Sequence, residues 1–584
     1  MKLSRLKLNS DFNSLSSGFE LEFRAPYKKE SPENDWSQFH PYCFAGLNGS
    51  GKSNILEALS HIFYHLENCV NVNHPKNFHP NNGANKPNAY ELEYYIVPKF
   101  QNEYITNKEY IIESLFKVVI TKKENELPKL EAFSYPFENI ADEDSFRMLP
   151  TETERKEGYS APAKAYLPNL IIGYSSGENE ILSIPFLKSQ LLSFDEYQEF
   201  LIHNRFYKEP ENSLVYIDYE MSQAVLLSNL IFHDEEALKE KNILKSLKEE
   251  LGVLDIKRFR MNLNIKQVEG TSNRILDQLI KEKNTQDNED KIIDKFKNCA
   301  TCYYDKEDHL ILDFWVDENT KIAFKDNFKT IYELFQAFQL LYTLNYISIP
   351  QYIKSDVYNS KGYYTDGKIP TPAPEDKVFY FLDYYIEKKI KGKDETVELL
   401  LKNLSDGEQQ FLHTLGICLM LRNRNALLLL DEPETHFNPD WRSKFISVLK
   451  KSLDASGSNN LMRDVLITSH SPFIISDCYP DKVIVFERDK KTKDVIAINA
   501  KKKKFKTFGT DIDIIMENIF DKGDFIGEYS KERFDKIDYS SIRKTDDIDR
   551  IKWELRDMGD SLTKDIVFAK LNRIKRELTS AKNI

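Results

Sequence analysis

No stretch of the chain reaches the roughly 18–20 consecutive apolar residues that a helix needs to span a bilayer. The apolar run 415–421 stops at Arg-Asn-Arg-Asn, before Ala426. The opening MKLSRLKLNS has no apolar centre of the kind a signal peptide carries. Cysteine is scarce: six in 584 residues are too few for a disulfide scaffold. These absences lead to the expectation of a cytoplasmic chain with no membrane segment. A basic excess is missing too, with 93 acidic against 81 basic residues and a net charge of −12. That balance argues against a protein that coats nucleic acid with its whole surface, and leaves room for a local basic groove.

Sustained heptads are absent between Gly46 and Leu404, so no long coiled-coil arm is expected there. Residues 233–252 read as a single amphipathic helix, with Leu244, Leu247 and Leu251 on one face and Gly252 as C-cap. Residues 309–317 read as a strand, 330–344 as a buried helix, and the proline-rich 370–376 as a stiff loop. Cys299 and Cys302 form a lone CxxC. A structural zinc site needs two further ligands, and no second CxxC supplies them, so two ordinary thiols are expected. No HNH-type histidine cluster is found, and Asp511 and Asp513 lie in a tail too short for a TOPRIM nuclease fold. The lysine run 501–506 reads as a solvated turn, with contact to a nucleic-acid backbone as the alternative.

What the chain does have is 41% hydrophobic and 30% charged residues, enough for two or more globular units. Its most specific segment is FAGLNGSGKSNILEAL, at 44–59. Gly46, Leu47, Asn48, Gly49, Ser50, Gly51, Lys52 and Ser53 fit G-x-x-x-x-G-K-[ST], and Asn54 follows. Glycines let a backbone turn until several N–H groups converge on one anion. Lys52 would reach the β- and γ-phosphates, and the Ser53 hydroxyl would ligate Mg²⁺. Upstream, HPYCFAG is mostly apolar, as a buried strand is. Downstream, Ile55, Leu56, Leu59, Ile62 and Phe63 recur at helical spacing. Strand, loop and helix therefore follow in the order this motif requires, and the helix N-terminus faces the phosphates.

Three more segments cluster late in the chain. ALLLLDEPETHFNP, at 426–439, reads as a buried strand ending in Asp431 and Glu432. The aspartate can hold Mg²⁺ and the glutamate can deprotonate a water. NLSDGEQQFLHTLGICLML, at 403–421, reads as an amphipathic helix with Ser405 as N-cap and Glu408 closing a capping box. DVLITSHSPFIIS, at 464–476, reads as another buried strand, with His470 at its end in a position to contact a γ-phosphate.

Phosphate loop, LSDGE, LLLLDEP and TSH, in this order, resemble the motifs of ABC-type ATPases of the SMC and RecF class. The residues 435–442 resemble the loop after the catalytic glutamate in RecF- and OLD-type ATPases, which commonly reads E-x-H-x-H-P. Here Asn438 replaces the second histidine. The resemblance implies an α/β fold in which both ends of the chain build one ATPase head. It places an N-terminal lobe at 1–190, a compact, mostly helical insertion at 191–345, a C-terminal lobe at 346–500 and a helical tail at 501–584. It also implies ATP and Mg²⁺ as ligands and a homodimer or higher even oligomer. Gly46, Asn48, Gly49, Ser50, Gly51, Lys52, Ser53 and Asn54 would hold nucleotide; Ser53 and Asp431 would hold metal; Glu432 and His470 would act in catalysis. Ser405, Gly407 and Glu408 would reach a second subunit's nucleotide. The family's signature usually reads LSGGQ, so Asp406 and Glu408 depart from it. The glutamine that ends an early strand in the family is not evident. LIIGYSSGENE, at 170–180, is either its ATP-facing loop or an ordinary strand-end turn.

The short insertion, the S-x-G-E signature and the missing nuclease centre most resemble compact ATPases of bacterial anti-phage systems, such as PtuA of the Septu type, which act beside an HNH nuclease. A separate effector nuclease is the partner that resemblance implies, with DNA or RNA as a further partner. A RecF-like clamp on DNA and an OLD-like nuclease are the alternatives.

Overall fold

The computed structural model describes residues 1–26, 39–72, 86–98, 114–140, 146–177, 179–202, 213–232, 247–264, 291–306, 309–360, 369, 373–390, 393, 395–421, 425–454, 462–523 and 526–580. It divides into two units, Met1–Gly509 and Thr510–Ile584. Most of the helix expected at 233–252 lies outside the described residues; its last turn ends at Gly252, whose φ is +70°.

The first unit is organised by a seven-stranded sheet. Its strands are β3 (Tyr42–Gly46), β8 (Ile171–Ser175), β9 (Leu214–Tyr216), β15 (Ala426–Asp431), β16 (Arg463–Ser469), β17 (Val483–Arg488) and β18 (Val495–Asn499). Their spatial order is β18-β17-β3-β16-β15-β8-β9. All pairs are parallel except β17 with β18. Parallel strands covered on both faces read as continuous apolar runs, and Leu427–Leu430 and Tyr42–Ala45 are all fully buried. β3, from the N-terminal part of the chain, lies between β16 and β17 from the C-terminal part. The two ends therefore build one α/β head, as expected of an ABC-type ATPase.

Helix α1 (Lys52–Val70) packs on β3, β15 and β16 and is buried nearly all round. Its outer side is roofed by a six-stranded antiparallel sheet, whose strands β1 (Lys2–Leu8), β4 (Tyr90–Ile96), β5 (Phe116–Lys122) and β6 (Lys129–Ser134) share its apolar cluster. β2 (Glu20–Glu22) and β7 (Asn139–Ile140) edge that sheet.

A five-stranded antiparallel sheet follows the order β11-β12-β10-β13-β14. It comprises β10 (Val253–Asn264), β11 (Cys302–Lys306), β12 (His309–Trp315), β13 (Phe379–Lys389) and β14 (Thr396–Leu400). β12 alternates as a half-buried strand should: Leu310, Leu312 and Phe314 face the core, while His309 and Trp315 face solvent. The helix expected at 330–344 runs Ile331–Thr343, capped by Thr330.

This sheet redraws the middle of the chain. Its strands come from both sides of the 345/346 boundary, and it gives the insertion a substantial β component. β9, which falls within 191–345, pairs with β8 of the seven-stranded sheet, and helix α3 (Tyr219–Phe232) packs both on the signature helix and on the helix Ile331–Thr343. Strand pairing joins segments far apart in sequence, so local pattern does not mark where the head resumes. Residues 501–509, assigned to the tail, pack on the head, where the Thr507 hydroxyl donates to Cys478 O at 2.6 Å.

The second unit is helical, with its own small apolar core around Ile548, Phe534 and Leu571. Asp511 and Asp513 sit at the start of its first helix, Ile512–Phe520. Cys299 is buried and Cys302 exposed. Residues 501–504 form a turn, with Lys502 and Lys503 paired to Glu22 and Glu487. Among the described residues, no helix is long and apolar enough to cross a membrane.

Candidate nucleotide-binding site

In open parallel sheets, ligand sites form beyond the carboxyl ends of the strands. Here β3 ends at Gly46, β15 at Asp431, β16 at Ser469, β8 at Ser175 and β17 at Arg488. Register lines these ends up: Asp431 is opposite Thr468 and Ser175, Ser469 is opposite Ala45, and Phe486 is opposite Gly46.

The loop from Gly46 to Gly51 needs its glycines. Gly46 has φ +147°, and a Cβ there would meet the Phe486 carbonyl oxygen at 2.4 Å. Gly51 has φ +93° and starts α1. Lys52 is buried and donates to the loop's own carbonyls, Gly46 O at 3.2 Å and Leu47 O at 3.1 Å. Burial lowers its pKa, opposed by the charges of Glu432 and Asp431. The Ser50 hydroxyl is buried in the loop with no hydrogen-bond partner among the described residues, an orphan polar group of the kind a bound anion satisfies. Arg488, on β17, donates to Gly49 O through Nε at 3.1 Å and a terminal nitrogen at 2.8 Å.

Asp431 joins the two halves of the chain. Its Oδ1 accepts from the Ser53 hydroxyl at 2.8 Å and the Thr468 hydroxyl at 2.6 Å. Its Oδ2 accepts from Asn179 Nδ2 at 2.7 Å. A serine hydroxyl and an aspartate held together at a helix N-terminus suit an oxygen-ligated Mg²⁺, which takes few protein ligands and keeps several waters. From the 170–180 segment, Asn179 is thus brought to Asp431. Asn179 stands where the missing glutamine was sought.

Glu432 adopts φ +46°, a left-handed conformation uncommon outside glycine. Its backbone N–H donates to Thr468 Oγ1 at 2.9 Å. Its carboxylate pairs with His470 Nε2 at 3.0 Å, a contact that holds the carboxyl below its usual pKa. The two residues expected to act separately form one pair, half exposed beyond the sheet. Glu434 lies beneath them, fully buried. It accepts from the Ser469 hydroxyl, whose oxygen also accepts from Ser471 N–H, so Glu434 braces the backbone on both sides of His470. Burial pushes the Glu434 carboxyl up to about 7.

The signature stands at a different helix. Ser405 caps α4 (Asp406–Met420), and Glu408 completes the box. Glu408 is also bound by Lys388. Burial works against its charge, but Lys388 and the Ser405 N–H outweigh that and keep its pKa low. Glu408 is therefore engaged within its own helix start, while Ser405 and Asp406 are exposed. Gly407 is packed close: a Cβ there would lie 2.7 Å from His436 O, in the loop that follows Glu432. Within one chain, the hydrogen bonds of Ser405 and Glu408 do not connect them to the phosphate loop.

The residues missed from sequence are Asn179, Thr468, Arg488 and Glu434. Asn179, Thr468 and Glu434 stand inside segments already singled out, so their neighbours were the available signal. Arg488, at a strand's end, carried none.

A family described as "AAA domain, putative AbiEii toxin, Type IV TA system" matches residues 330–476. That span holds Ser405, Gly407, Asp431, Glu432 and His470, so the part of the chain that is similar to this family is the part that carries the late motifs. No curated protein matches the chain. Among solved structures, the chain is similar to an Smc head domain with a coiled coil and joint derived from Pyrococcus yayanosii. The identity is 13%, with 86% of this chain and 98% of that chain covered, at a TM-score of 0.27. A score that low superimposes no detail, and the strand order and register describe the fold here.

Proposed function

We propose that this chain binds ATP with Mg²⁺ and hydrolyses it, and that two copies pair head to head to do so. The observation that supports the reading best is the meeting of Ser53 and Asp431 at 2.8 Å, beside the Glu432–His470 pair. Ser53 and Asp431 would hold Mg²⁺, which when bound neutralises phosphate charge. The 46–51 loop and Lys52 bind the phosphates, with Asn48 and Asn54 at the rim. Glu432, its carboxyl kept ionised by His470, accepts a proton from the attacking water. His470, released from that pair, donates to the γ-phosphate. The exposed Ser405 and the start of α4, unconnected to their own phosphate loop, contact the nucleotide of the second head. Closure around shared ligands is a shift of population toward the paired state.

In this reading the chain is the ATP-consuming subunit of a bacterial anti-phage system and switches a separate effector nuclease. The compact insertion and the S-x-G-E signature support it. So does the matched family's description, which names a putative toxin of a toxin–antitoxin system.

Glu432→Gln tests the chemistry. The amide keeps the size and loses the base, so the variant should bind ATP, lose turnover by about 100-fold or more, and accumulate as dimer in size-exclusion with ATP. Turnover near the wild-type rate would reject Glu432 as the base.

A further inference from the structure

Behind Asp431 lies a carboxylate that the proposed chemistry does not use. Glu57, one turn into α1, is 3% exposed. Its neighbours are three asparagine amides. Oε2 accepts from Asn54 Nδ2 at 2.6 Å and Asn13 Nδ2 at 2.9 Å, and Oε1 accepts from Asn179 Nδ2 at 3.4 Å. These come from α1, the turn after β1 and the head of helix α2 (Glu180–Ile202). No ion pair satisfies Glu57 among the described residues, and burial raises its pKa, with Asp431 adding to the effect.

The Asn179 amide connects the two carboxylates, and its orientation is determined. A backbone N–H only donates, and Leu182 N–H lies 3.1 Å from Asn179 Oδ1. The carbonyl oxygen is thus committed to the start of α2, and the NH₂ must face Asp431 and Glu57. Its two N–H groups then serve one carboxylate each, Asp431 Oδ2 at 2.7 Å and Glu57 Oε1 at 3.4 Å. Asp431 Oδ1 is left to the Ser53 and Thr468 hydroxyls. Asn54, next in sequence to Ser53, is held by Glu57 on the other side.

We propose that Glu57 is a positioning residue for the divalent cation: through Asn179 and Asn54 it sets how Asp431 and Ser53 are presented. Groups one hydrogen bond removed from metal ligands orient them, and their loss typically costs 10–100-fold in metal affinity; Asn179 is such a group, and Glu57 holds it in place. The negative charge of Glu57 acts in the same sense, because a cation beside Asp431 relieves the repulsion between two buried carboxylates. This inference rests on the Mg²⁺–ATP reading above.

Glu57→Gln keeps the shape but removes the charge and turns one acceptor into a donor, opposite amides that already donate. ATP turnover by the full chain is measured against free Mg²⁺, with ATP binding in EDTA and thermal unfolding alongside. The half-maximal Mg²⁺ concentration should rise about 10–100-fold, with cation-free ATP binding unchanged and kcat recovered at saturating Mg²⁺. Asn179→Ala should raise it similarly, and the double variant should fall short of the product of the two single effects, because the two residues share one path to Asp431. A half-maximal Mg²⁺ within twofold of wild type in Glu57→Gln, or a fully additive double variant, overturns the inference and leaves the ATPase reading intact. Should Glu57→Gln fail to fold, an unchanged Mg²⁺ requirement in Asn179→Ala overturns it. A wild-type chain without Mg²⁺-dependent turnover overturns both.

Discussion

Glu432, Glu434 and His470 form one corner of the molecule beyond the ends of two neighbouring strands, held by single side-chain contacts. Glu432 holds a left-handed backbone, a conformation that costs energy and persists only where the surroundings impose it. The imposing groups are the Thr468 hydroxyl on its N–H and His470 on its carboxylate. Glu434 supports the same corner from below and has its own signature in pH. Its pKa rises from 4.5 to about 7 on folding, through burial. The folded chain keeps a proton that the unfolded chain releases, so this group's contribution is present in full below pH 4.5. It is lost as pH rises to about 7, and stays flat beyond. The loss is on the order of 3 kcal/mol. Glu434→Gln should remove that slope. Denaturant unfolding from pH 5 to pH 8 checks this, and equal slopes for variant and wild type would sink it.

At the scale of elements, the fit between the signature helix and the loop after Glu432 deserves a direct test. Gly407 of α4 approaches His436 O so closely that a methyl group would sit 2.7 Å from a backbone oxygen. Backbone gives way less easily than a side-chain tip. Gly407→Ala should therefore destabilise the head by roughly 1–3 kcal/mol, in the range of overpacked cores, measured by urea unfolding. A wild-type midpoint would mean that the loop moves freely, and that α4 and Glu432 are uncoupled. The elements also show where local pattern was readable. Four leucines before Asp431, and Tyr42–Ala45 before Gly46, are legible because buried parallel strands need continuous apolar residues. The capping box at Ser405 is legible because it spans only four residues. β13 and β14 could not be assigned to the insertion's sheet, because β13 pairs with β10, more than a hundred residues upstream, and β14 joins the sheet only through β13.

For the whole molecule, the proposed pairing of two heads makes a prediction that one chain cannot satisfy. A Lys52→Ala chain keeps an intact signature, and a Ser405→Arg chain keeps an intact phosphate loop. Each alone should be inactive. Mixed, they should recover part of the ATPase activity, because one composite site per mixed pair is whole. No recovery on mixing would indicate that each chain completes its own site.

By itself the sequence determined the strand-loop-helix around Lys52, the strand carrying Asp431 and Glu432, the one ending before His470, and the capped helix at Ser405. Each is specified by residues within about fifteen positions of one another, through apolar runs, glycines and caps. Only the tertiary structure decided which groups meet. Ser53 and Asp431 are 378 positions apart, and Asn179, Glu57, Thr468 and Arg488 reach the site from strands and helices ordered by sheet pairing. Hydrogen bonds between such segments depend on register and on side-chain direction, and neither is written in local spacing.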